Sequence, residues 1–145
     1  MSTKEIQEQI VQNMKKWQKI ENASVAQMSA IIERTQNPVI QIVMEIIQSD
    51  SQMHHRVQQM ILDSFEREAI VLTPEDLGQI WDLVEKHIAM EEETVQLAEK
   101  SLAALKGKKM VVQEYLLNYL KTDENKHDRL LESLEKIKSG MYPYG

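Results

Sequence analysis

Apolar residues recur every three to four positions along most of the chain, and this spacing predicts amphipathic helices. Residues that end or start helices interrupt the pattern in three places, around 35–38, 73–76 and at Gly107. Asn37 and Thr73 each precede a proline, an arrangement typical of a helix start. The pattern therefore predicts four helices, at about 3–34, 38–68, 74–106 and 109–139, in a single domain covering 1–145.

Each apolar stripe is interrupted near its middle by ionisable residues. Along the chain these are Glu21, Asp50, His54, His87, Glu91, Glu124 and His127. At a rise of 1.5 Å per residue, the main carboxylate and imidazole groups lie roughly 22–30 Å from the connecting turns, so they can meet in one layer. Carboxylates in an apolar interior cost several kcal/mol each unless protons, cations or metal ions compensate them. A mixture of imidazoles and carboxylates suits Fe, Mn or Zn.

The two halves of the chain resemble each other. Residues 43–61 align without gaps on 116–134, so that Asp50 matches Asp123 and His54 matches His127. Residues 19–28 align on 89–98, which places Glu21 on Glu91. Polar positions match as well as apolar ones. The alignment therefore predicts an antiparallel helical hairpin that occurs twice.

Composition excludes several classes of function. The chain has no cysteine, which excludes disulfides, thiolate metal sites and cysteine nucleophiles. A net charge of -6 argues against a broad nucleic-acid surface. No apolar run approaches the roughly 20 residues of a membrane span, and the first residues lack the features of a signal peptide. We therefore expect a cytoplasmic protein that binds neither nucleic acid nor membranes.

The doubled pattern resembles the ferritin-like di-metal carboxylate proteins, and in particular small rubrerythrin-like proteins without a rubredoxin part. That family carries a Glu on one helix and Glu-x-x-His on the next, twice over. The second half fits with Glu91 followed by Glu124 and His127, whereas the first half has Glu21 and His54 but Ser51 at the position of the motif glutamate. The resemblance covers about residues 15–135 and implies a ferritin-like four-helix bundle.

The resemblance also implies a function. Iron, or alternatively Mn or Zn, would be bound by Glu21, His54, Glu91, Glu124 and His127, with Asp50 and His87 as weaker candidates. Because Ser51 removes one bridging carboxylate, the site would be di-iron, mononuclear or degenerate. The implied role is an oxidoreductase that handles peroxide or iron, with an external electron-donor protein, in a homodimer. The connection between the second and third helices leaves up-down-up-down, crossover and swapped topologies open.

Two other interpretations remain. The first is a non-enzymatic helical scaffold or interaction protein, in which a buried layer of Glu and His without metal sets the pairing of the helices. The second is oxygen binding of the hemerythrin type, suggested by His87 four residues before Glu91. It ranks last, because such sites typically need five histidines and the chain has four.

Overall fold

The computed structural model describes residues 1–140 as five helices, and these residues contain no strand. The helices are α1 (Thr3–Arg34), α2 (Pro38–Glu66), α3 (Pro74–Gly78), α4 (Trp81–Ala104) and α5 (Val111–Lys138). The all-helical prediction is confirmed. Contacts within the chain divide it into two compact units, Met1–Ile70 and the residues from Val71 onward.

The predicted third helix at 74–106 is wrong as a continuous element, because the structure splits it into α3 and α4. Thr73 caps α3 as expected, and its hydroxyl accepts a hydrogen bond from the Asp76 amide. The helix then ends at Gly78, and Ile80 leaves helical geometry with φ -116° and ψ 1°. Glycine disfavours a helix by roughly 1 kcal/mol relative to alanine, so the chain is easiest to interrupt at this point.

Helices α1 and α2 form an antiparallel pair, here called hairpin 1, joined by a turn of three residues. The side chain of Asn37 accepts hydrogen bonds from the amides of Val39 and Ile40, which caps α2. Where the two helices meet, the buried residues are mostly polar: Glu21, Ser51, Gln58 and Leu62. Hairpin 1 therefore encloses a carboxylate at the contact between its helices.

Helices α4 and α5 form the second pair, hairpin 2, and the short α3 packs on α5. Gly107, with φ +78°, follows α4 and adopts a backbone conformation that other residues rarely take. The buried residues of this unit are Leu77, Trp81, Glu91 and Ala98. A carboxylate is thus enclosed in hairpin 2 as well. None of the helices in residues 1–140 is both long and apolar enough to cross a membrane.

Candidate metal centre

Glu91 is the buried carboxylate of hairpin 2, with only 6% of its surface exposed. One of its oxygens, Oε1, lies 2.7 Å from Nε2 of His87, one helical turn earlier on α4. The same oxygen lies 3.4 Å from Nδ1 of His127 on α5. Glu91 is therefore placed where the two helices meet, between imidazoles from both.

Glu124 completes a group of three candidate ligand side chains. The spacing of three residues puts Glu124 and His127 on one face of α5, with 3.7 Å between Glu124 Oε2 and His127 Nδ1. Ligand atoms of Glu91, Glu124 and His127 all lie within 4.8 Å of one another. A single metal ion with ligand bonds of about 2.0–2.2 Å can bridge atoms at this separation after small side-chain adjustments.

The second carboxylate oxygen of Glu91 has no recorded partner. Glu91 Oε2 is fully buried and has no hydrogen-bond partner among residues 1–140. A buried polar atom without a partner costs about 1–3 kcal/mol, and more when it carries charge. A bound cation would remove this cost, so the residues present fit a metal ion. Glu124 and His127 are only partly buried, which leaves the group open to solvent on one side.

Two further side chains contact the ligand group. The hydroxyl of Thr94 lies 3.0 Å from Glu124 Oε2 and donates to it or to the Glu91 carbonyl. Asp123 Oδ2 lies 3.4 Å from Nε2 of His127, on the ring edge away from Glu91. A hydrogen bond from this nitrogen to Asp123 would orient the imidazole and select its tautomer, and it needs only a small side-chain movement from the present distance. Sequence reasoning missed both roles, although each residue stands at helical spacing from a predicted ligand.

Hairpin 1 brings Glu21 and His54 together, as the sequence predicts. His54 Nδ1 lies 3.3 Å from Glu21 Oε1, and the indole N–H of Trp17 donates to the same oxygen at 3.0 Å. Ser51, which occupies the motif position, shares a hydrogen bond of 3.0 Å with Ser24. Asp50 is exposed and makes none of these contacts.

Comparisons with known proteins give no further guidance to the function. No model of a known protein family matches the chain, and neither curated proteins nor solved structures show a significant match to it. The interpretation of the site therefore rests on its residues and their geometry.

Proposed function

We propose that this protein binds a divalent metal ion through Glu91, Glu124 and His127. The observation that carries the proposal is the buried, unpartnered Oε2 of Glu91 within a group of three potential ligands. Burying a carboxylate at a helix contact without full compensation destabilises a fold, so the arrangement is favourable mainly when a cation is bound.

Two carboxylates and one imidazole suit iron, manganese or zinc. They leave coordination positions open for water or a small oxidant, and bound iron would supply one-electron redox chemistry. The protein side chains would hold the ion and orient its ligands. His87 contacts one oxygen of Glu91, and Asp123 lies beside the ring of His127, which it would orient. Since these 145 residues include no cysteine, electrons for a rubrerythrin-like reaction would not come from a cysteine-ligated iron centre within them.

The proposal includes the wider architecture. We infer that each hairpin packs its apolar side chains on another hairpin. That hairpin belongs either to the same chain, in a ferritin-like four-helix bundle, or to a second copy of the chain, in a homodimer. Support comes from large apolar side chains that are exposed on both hairpins, among them Ile20, Val57, Leu83, Leu97 and Leu130. Where such side chains form a continuous patch, that patch marks an interaction face.

Elemental analysis of purified protein tests the metal site. The untagged protein is expressed with added iron and manganese and compared with Glu124→Ala, His127→Ala and the control Glu92→Ala, which removes an exposed neighbouring carboxylate. We expect near-stoichiometric metal in the wild type and the control. Loss of a direct ligand weakens affinity by more than the roughly 10–100-fold typical of outer contacts, so both ligand variants lose the ion.

The scaffold interpretation predicts a different result. In that case all four proteins would be metal-free, and adding Fe, Mn or Zn would leave the melting temperature unchanged, because only a ligand that binds the folded state raises it. That outcome would overturn the proposed metal site.

A further inference from the structure

Hairpin 1 repeats the central contact of the proposed metal site. His54 Nδ1 lies 3.3 Å from Glu21 Oε1, and the aligned pair in hairpin 2, His127 and Glu91, is separated by 3.4 Å between the same atoms. Both glutamates are buried, at 7% and 6% exposure. Hairpin 1 therefore holds a glutamate and a histidine in the same relative position as Glu91 and His127, two of the three candidate ligands in hairpin 2.

The third position differs between the hairpins. In hairpin 2 the hydroxyl of Thr94 lies 3.0 Å from the ligand carboxylate of Glu124. The aligned residues in hairpin 1 are Ser24 and Ser51. Their hydroxyl oxygens are also 3.0 Å apart, but neither residue offers a carboxylate. A neutral hydroxyl that is already hydrogen-bonded is a weak ligand for a divalent ion compared with a carboxylate.

A second difference lies beside the buried glutamate. His87 contacts Oε1 of Glu91 in hairpin 2, whereas the aligned residue in hairpin 1, Trp17, donates its indole N–H to Oε1 of Glu21. Glu91 has a buried oxygen without a partner, and Glu21 has none among residues 1–140. Oε1 of Glu21 is thus stabilised by two contacts, and neither oxygen of this carboxylate is both fully buried and unpartnered, so it requires a cation less strongly than Glu91 does.

We propose that the native protein binds one metal ion per chain, in hairpin 2, and that hairpin 1 carries a latent metal site lacking only a carboxylate at position 51. This inference rests on the proposed function of hairpin 2. Ser51 borders a cleft of about 280 Å³, lined also by Asn22, Val25, Gln52 and His55. This cleft gives a longer side chain at position 51 room to adjust, but Glu21 and His54 do not line it, so the new carboxylate must turn from the cleft toward them.

Manganese binding to metal-free protein tests the latent site, with bound Mn²⁺ counted from the loss of the free-ion electron paramagnetic resonance signal. The native protein should bind one ion per chain and Ser51→Glu should bind two. Ser51→Gln, which has the same size without the charge, should bind one. The double variant Ser51→Glu/His54→Ala should return to one ion, because His54 is a ligand of the new site.

The same titrations separate the two proposals. If the native protein binds no ion, the proposed function fails and the latent site falls with it. If the native protein binds one ion and Ser51→Glu still binds one, or stays unfolded in excess Mn²⁺ while Ser51→Gln folds, only the latent site is overturned. Loss of the native ion in His54→Ala would also overturn it, since His54 would then be a ligand of the existing site.

Discussion

The groups next to Glu91 and Glu124 determine which oxygens of these carboxylates remain free for an ion. His87 occupies Oε1 of Glu91 and leaves Oε2 without a partner. The grouping of the candidate ligands was predicted from the spacing of Glu and His on the helices, because that spacing fixes which side chains share a face. Thr94 was not predicted, since a short polar residue on a helix is common and its hydroxyl has several local acceptors.

Replacing Thr94 by valine should weaken metal binding without removing a ligand. The change deletes the hydroxyl 3.0 Å from Glu124 Oε2, and loss of an outer contact of this kind typically costs about 10–100-fold in affinity. Thr94→Ser keeps the hydroxyl and should stay close to the native affinity. Competition titration against a metal-binding dye measures all three proteins. Equal affinities for the valine and serine variants would show that the hydroxyl does not position Glu124.

Most helix starts follow directly from local residues. The capping boxes of Ser2 with Glu5 and of Thr73 with Asp76 are formed, and Asn37 caps α2. The break after Gly78 was missed, because an isolated glycine inside a helical pattern is usually tolerated. Whether the helix breaks after Gly78 depends on packing around Leu77 and Trp81, which are both buried. Sequence periodicity does not report this packing.

Alanine substitutions at two glycines should change stability in opposite directions. A Cβ at Gly78 would meet no atom within 4 Å, so Gly78→Ala should raise the free energy of unfolding by about 0.5–1 kcal/mol by restricting the unfolded chain. A Cβ at Gly107 would also meet no atom within 4 Å, but the φ of +78° at this position is unfavourable for residues other than glycine. Gly107→Ala should therefore lower that free energy by about 1–2 kcal/mol.

Urea denaturation followed by circular dichroism measures both variants on the full chain. If Gly78→Ala destabilised the protein, the interruption between α3 and α4 would be required by the fold and would not simply result from a weak helix former.

At the scale of the whole chain, the all-helical class was predictable and the assembly of the hairpins was not. Periodicity shows that each helix has an apolar face, but it does not say which hairpin covers that face. One chain can pair its own hairpins, or two chains can exchange them, because both arrangements bury the same side chains. The single-domain and homodimer expectations therefore stay predictions.

Sedimentation equilibrium decides between these assemblies. The homodimer prediction requires a species with twice the 16.9 kDa mass of the chain, in which a second copy covers side chains such as Leu83 and Leu130. The measurement is made over a wide range of protein concentration, with and without Mn²⁺. A mass of one chain at every concentration would rule out the homodimer and leave the bundle within one chain.

The short turn between α1 and α2 has a consequence for how the chain acquires its structure. Only three residues separate the two helices, and Asn37 supplies the hydrogen bonds that start α2. Closing so small a loop costs little entropy, and contacts between residues near in sequence form early and fast. Pairing of the helices can begin at this turn and extend outward one helical turn at a time. The contact between Glu21 and His54 would then form late, after the residues closer to the turn have already aligned the two helices.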